Sequence, residues 1–471
     1  MSNKNDIYNS NKFKEALSRY KSAQDQHQTV FIDLDDIIDI AEYYNESGAY
    51  DDAVKANEYA LTLYPGAAAP LAMLARAAMF GSNDIKKAKA YADMIDDKDD
   101  LEYIYLKAEI MIMEENVDGA DAYLESKMNV LDDELVDDML LDVPFIFLDY
   151  KYPELAQKWL TRCNETDAPE YNAAEGEIAL LFEDYEKSET IFKKLLEDDP
   201  FSSNLWNKLA MAQFSLNHMS DAIESCEFAL AINPNDKDAL MTKANSLAST
   251  GKTKDSCLFY KRYIRLCPDE AHARMLYGLS LSAEGQYDDA LQQLYIADKQ
   301  TDDKQLSEDI IKEQAYVLTR LDKHGEALLM LDNAEKAGHI THNERLITEG
   351  YVYLSMHQDE YAKDCFMQAF INTKMAPNAR IEVAIAYFEC SRYQQTYDIL
   401  VNTLTDEAKL SDGYSYLAYS CRMLYRHEEF IKYLKKACEI NPREALSVLK
   451  ELFPDDCQTE DFVAYALKHD I

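Results

Sequence analysis

The chain has 471 residues and a formal charge of −39, set by 48 Lys and Arg against 87 Asp and Glu. So acidic a surface repels phosphate backbones and disfavours nucleic-acid binding. Only 12 Gly and 11 Pro argue against sandwiches and barrels, which need many tight turns. A hydrophobic content of 47% is enough for a folded protein, and Ala, Leu, Glu, Lys and Asp dominate, so the chain reads as all-α. Residues 1–150 hold 13 basic against 32 acidic residues, which makes the N-terminal third the more acidic. Nine Cys occur without a C-x-x-C pair, and several sit at apolar positions, as buried thiols do. The start is polar, and no run of about 18 apolar residues exists. A cytoplasmic location, with neither membrane nor nucleic acid as partner, is the expectation.

In chain order, residues 1–10 are polar and expected to be loose. Lys12–Gln26 read as one helix, with Phe13, Ala16, Leu17 and Tyr20 on one face, so residues 1–33 form a tail and a capping helix. A repeat then begins. Its anchors are small or apolar residues near the start of every second helix. They are Ala53, Ala88, Ala120, Ala156, Ser188, Ala222, Ser256, Ala290, Ala327, Ala362, Thr396 and Phe430, spaced 32 to 37 apart. Twelve positions upstream stand small residues such as Ala41, Ala108, Gly176, Ala210, Gly278, Gly350 and Ala418. Small side chains there let two helices cross closely. Twelve positions downstream stand Pro65, Pro200, Pro234, Pro268 and Pro442, which end second helices. The turn recurs as Gly48-Ala-Tyr-Asp-Asp-Ala53 and Gly285-Gln-Tyr-Asp-Asp-Ala290. Glycine there suits a left-handed helix cap, and the Asp pair suits the next helix N-terminus.

Units in 34–168 are divergent and acidic. Arg76 replaces the small residue, Asp96–Asp100 read as a loop, and Pro144 is expected to kink or shorten its helix. The array over 169–444 is regular. After Pro442 the pattern stops, and 445–471 read as closing helices.

The segment Asn204–Pro234 shows the unit most clearly. Trp206, Leu209, Ala210 and Gln213 or Phe214 mark one buried face, then Ala222, Cys226 and Ala229 a second, and Pro234 the stop. This pattern resembles the tetratricopeptide repeat family, over roughly 34–444. The resemblance implies an all-α, right-handed superhelical α-solenoid of about twelve helix hairpins, with capping helices at both ends. It also implies that first helices line a concave groove where partners bind. Residues one past the small first-helix position then face the groove: Met211, Asn245, Leu279, Tyr316, Tyr351, Ile385 and Tyr419. One turn further lie Phe214, Ala248, Ser282, Thr319, Leu354, Phe388 and Arg422; one turn earlier lie Met241 and Met275. Tyr and Met are types that binding surfaces favour. The candidate groove set is therefore Met211, Phe214, Met241, Asn245, Met275, Leu279, Tyr316, Tyr351, Ile385, Phe388, Tyr419 and Arg422.

No nucleotide loop, zincin motif or cation-loop spacing is present, and His339 and His342 are too few for a metal site. No cofactor or metal is expected. The expected function is a non-catalytic scaffold or adaptor that docks a peptide or helix, basic or amphipathic, of a partner protein. A carboxylate clamp of the kind some relatives use lacks its cations here. Two alternatives remain: a regulatory sensor whose superhelix changes curvature on peptide binding, and an enzyme with a degenerate site in the acidic N-terminal third.

Overall fold

In a computed structural model, residues 4–26, 28–371, 377–406, 410–454, 457 and 459–469 are described. The first three residues of the expected tail and part of the 454–457 linker lie outside them. Among the described residues no strand occurs. A short pair, α1 (Lys4–Asn9) and α2 (Asn11–Gln26), is followed by α3 (Leu34–Glu46), α4 (Tyr50–Leu63), α5 (Ala68–Ser82), α6 (Ile85–Met94), α7 (Leu101–Met113) and α8 (Val117–Met128). Then come α9 (Asp133–Asp149), α10 (Pro153–Leu160), α11 (Pro169–Leu181), α12 (Tyr185–Asp198), α13 (Ser203–Ser215) and α14 (Met219–Ile232). Next are α15 (Lys237–Ser249), α16 (Thr253–Leu266), α17 (Ala271–Ala283), α18 (Tyr287–Asp298), α19 (Lys304–Arg320) and α20 (His324–Ala337). The array ends with α21 (His342–Ser355), α22 (Asp359–Ile371), α23 (Pro377–Glu389), α24 (Tyr393–Asp406), α25 (Tyr414–Met423) and α26 (His427–Ile440). Two more helices, α27 (Pro442–Leu449) and α28 (Phe462–His469), close the chain. From α3 to α26 this is an α-solenoid of twelve successive helix pairs. The chain divides into two compact units, residues 1–212 with 231–235, and residues 213–230 with 236–471.

All twelve anchor residues are buried, eleven of them completely. Two of the three polar anchors are satisfied by their partner helix, while the Ser256 hydroxyl donates to the Thr253 carbonyl of its own helix. The Ser188 hydroxyl donates to the Gly176 carbonyl at 3.0 Å, and the Thr396 hydroxyl to the Ala384 carbonyl at 3.1 Å. Both acceptors are the small residue twelve positions upstream, so small side chains and a short reach go together. A Cβ at Gly350 would stand 2.3 Å from the Phe366 ring, and one at Gly176 2.9 Å from Phe192. These glycines are required by the aromatic ring one turn beyond the anchor.

The turns share one backbone state. Five residues before every anchor, φ is positive: Gly48, Asn83, Glu115, Lys151, Glu183, Asn217, Gly251, Gly285, Asp322, His357, Ser391 and Tyr425. Only three of these twelve are glycine, so nine side chains accept a conformation that costs an L-residue about 1 kcal/mol.

Two local expectations are corrected. The tail is helical from Lys4, because Tyr8 packs its ring on Phe13 at 5.1 Å and on Tyr43 at 5.3 Å. Helix α9 is not shortened by Pro144; it runs 17 residues, among the longest here. Pro144 is buried, beside Val143 and Phe147, which belong to a core cluster with Trp159 and Leu124. Burial of that face outweighs the one hydrogen bond a proline forfeits. The unusual Arg76 is explained by charge. Its Nε binds both oxygens of Glu109 at 3.0 and 3.1 Å, and Nη1 binds Glu102 at 2.9 Å. Residues 95–100 form a loop, as their Asp run implies.

Candidate functional site

In the second unit, the first helices α17, α19, α21 and α23 line a cleft of about 510 Å³. The residues that follow the small position, with Met275 one turn earlier, supply its apolar wall. Leu279 and Met275 come from α17, Tyr316 from α19, Tyr351 from α21 and Ile385 from α23. Tyr316 and Tyr351 meet edge to face, with centroids 4.6 Å apart. Tyr351 is the floor, only 4% exposed, and burial pushes its hydroxyl up to about 12. Burial also raises the Tyr316 hydroxyl, so both rings remain neutral donors.

Five of the twelve expected groove residues are thus brought together. The other seven are placed differently. Met211 belongs to the first unit and is 39% exposed. Met241 and Arg422 are half-buried on α15 and α25. Asn245 accepts a hydrogen bond from the Tyr260 hydroxyl at 2.6 Å. Phe388 is edge-on to Tyr416 and Tyr419, both at 5.0 Å. The Tyr419 hydroxyl bonds Glu451, and the Arg443 guanidinium lies 4.4 Å over the Phe214 ring. Of the neighbouring positions, Ser282 lines the cleft, whereas Thr319 and Leu354 are core residues.

Residues of the C-terminal segment therefore contact Phe214 and Tyr419, two of the expected groove positions. The segment's charges match helix ends. Arg443 donates to the Phe214 carbonyl, and Lys450 donates to the Thr250 carbonyl, at the end of α15, at 2.9 Å. Cations suit such termini. Glu444 accepts from the Gly413 and Ser415 amides at 2.8 and 3.1 Å, at the N-terminus of α25, where a carboxylate suits the dipole.

The cleft also carries charges that were not among the expected residues. Asp309, Glu313, Glu382 and Glu389 face two cations, Lys312 and Arg320. Lys312 stands 3.4 Å from Asp309, 3.4 Å from Glu344 and 3.7 Å from Glu382. Arg320 pairs with Glu389 at 3.1 Å. Two of these pairs run from α19 to α23, past α21. Burial pushes Glu313 up to about 7, with Lys312 opposing. Burial raises Glu382 to about 7 as well; Lys312 opposes and neighbouring Glu344 adds. Burial works against the Lys312 ammonium, but Glu382, Glu344 and Asp309 raise it overall. A helical step of three or four back from Tyr316 reaches Glu313 and Lys312, and back from Ile385 reaches Glu382. That step was the signal.

The tetratricopeptide repeat model matches residues 203–236. Among solved structures, a tetratricopeptide repeat protein from Parabacteroides merdae is 13% identical over 54% of this chain and 98% of that one, with a TM-score of 0.44. Yeast Tom70 is 14% identical over 92% of this chain and 95% of its own, with a TM-score of 0.40. A human IFIT1 dimer with PPP-AAAA is 14% identical over 78% and 90%, with a TM-score of 0.43. None of the three superposes closely. No curated protein sequence matches the chain. Among the described residues no helix is long and apolar enough to cross a membrane. The chain thus carries a tetratricopeptide repeat at 203–236, and helix pairs of the same form recur along its described residues.

Proposed function

We propose that the chain is a non-catalytic scaffold whose second unit docks an apolar segment of a partner protein in the cleft of α17, α19, α21 and α23. The observation that supports this most is the contiguous wall of Met275, Leu279, Tyr316, Tyr351 and Ile385, each from a preformed helix. A preformed wall loses little freedom on binding, so modest contacts add up. The occupant is a basic amphipathic helix, because four carboxyls outnumber two cations around an apolar floor. A random peptide library displayed on phage and panned on the full chain tests this. Selected peptides are expected to lose at least about tenfold in affinity on Leu279→Asp and Ile385→Asp. They should be indifferent to Tyr295→Asp on the outer side of α18. Equal binding to all three variants would reject the cleft.

The α19–α23 ion pairs favour a second reading in which docking sets curvature. A guest that draws Glu382 and Glu389 away from Lys312 and Arg320 unties two first helices. Small-angle scattering of the chain, with and without a selected peptide, would show a changed profile; an identical profile at saturation excludes it.

A further inference from the structure

The cleft of the second unit has more carboxylate acceptors than its own cations satisfy. Lys312 is shared among Asp309, Glu344 and Glu382 and comes no closer than 3.4 Å to any of them. Arg320 is committed to Glu389. Glu313 makes neither a hydrogen bond nor an ion pair among the described residues. It sits half-buried three residues before Tyr316, on the stripe that faces the cleft. A part-buried carboxylate beside an aromatic ring and without a protein donor is partly desolvated, and a donor brought by a guest can pair with it.

A metal ion does not fit. Among the described residues, no three cleft carboxyls bring oxygens within 4.8 Å of one another. The cleft also offers an aromatic pair, which attracts an organic cation. A guanidinium suits it better than a point charge, because five donors in a plane can serve Glu313 and Glu382 together.

Resting on the docking reading, we propose that Glu313 and Glu382 are the specificity residues of the cleft and select an arginine on the docked segment, its guanidinium between the two carboxyls and its stem along Tyr316. The selection is linked to protons. Lys312 and Asp309 act on Glu313 directly; the other titratable groups lining the cleft are Tyr316 and Arg320 on α19, Tyr351 on α21, and Glu382 and Glu389 on α23, with Glu344 of α21 beside Lys312; α17 contributes uncharged Met275, Leu279 and Ser282. Glu313 and Glu382 both titrate near neutrality. A bound guanidinium favours their charged forms, so binding below that range expels protons, and affinity rises with pH until both are ionised.

The test uses a selected peptide and the same peptide with its arginine replaced by citrulline, which is neutral and nearly isosteric. Fluorescence anisotropy on the full chain gives the affinity ratio at pH 6, 7 and 8. The arginine peptide is expected to bind about tenfold tighter at pH 8 and less than about threefold tighter at pH 6. Glu313→Gln with Glu382→Gln should bring the ratio to about one at every pH and leave citrulline binding intact. Titration calorimetry in two buffers of different ionisation heat should show protons released at pH 6.5. Equal affinity of both peptides for wild type at pH 8, or selected peptides without arginine, overturns the selection while the docking site stands. Failure to select any cleft-dependent peptide overturns the docking reading itself.

Discussion

Tyr425 holds a left-handed turn at φ 59°, with its ring 89% exposed. Nothing in that exposure offsets the backbone strain, so glycine should serve better. Tyr425→Gly is expected to stabilise the chain by about 0.5–1 kcal/mol, read from urea unfolding; a loss of stability would show that the ring matters. The reverse holds at Gly350, where an added methyl meets Phe366. Gly350→Ala should destabilise by about 2 kcal/mol, and Phe366→Leu in the same chain should restore part of it. These two positions show what a sequence can and cannot display. The small residue at 350 was visible because a small residue recurs at the same place in ten of the twelve units, where helices cross closely. The turn at 425 was not, because glycine marks only three of twelve such sites and the other nine tolerate the strain.

At the scale of elements, α19 and α23 carry a pH signature. Glu313 and Glu382 have folded-state values raised to about 7, above the 4.5 of a free glutamate. Between those values the folded state keeps protons that the unfolded chain has released. Stability from this source is fully present at low pH and declines as pH rises through 5 to 7. Other buried carboxyls, among them Glu109 and Asp149, are raised by burial too, so the difference between proteins isolates the cleft. The melting temperature of the double Gln variant should gain on wild type by a few degrees between pH 6 and pH 8; parallel curves would contradict the assignment. Local pattern revealed the apolar stripe of these helices, since Tyr316 and Ile385 follow small residues. It did not reveal Lys312 reaching Glu382, because that pair skips a whole hairpin. Likewise α9 looked breakable at Pro144, and only the core built on Phe147 and Trp159 explains its continuity.

For the molecule as a whole, the helix pairs were legible from a period of about 34 residues. The return of the C-terminal segment was not. Arg443 lies 229 residues from the carbonyl it binds, and Lys450 lies 200 residues from its own. A lone cation on a backbone oxygen leaves no periodic trace. Replacing both by Ala should speed amide exchange in α15, α27 and α28, and leave α3–α12 unchanged. No difference in any of these would mean the contacts hold nothing.

An open stack of repeats frays from its ends, since each terminal hairpin has one neighbour instead of two. In the second unit α27 and the residue after it are fastened to Phe214 of α13 and to Thr250 at the end of α15, near the start of the same unit, so the far end gains a second anchorage. Peeling the final hairpin then means breaking two interfaces at once, and partial unfolding from that side is suppressed relative to the middle. The second unit should melt as a clasped loop, in a sharper transition than a free-ended array of equal length, and it should yield to pulling only after the clasp at Arg443 and Lys450 has let go.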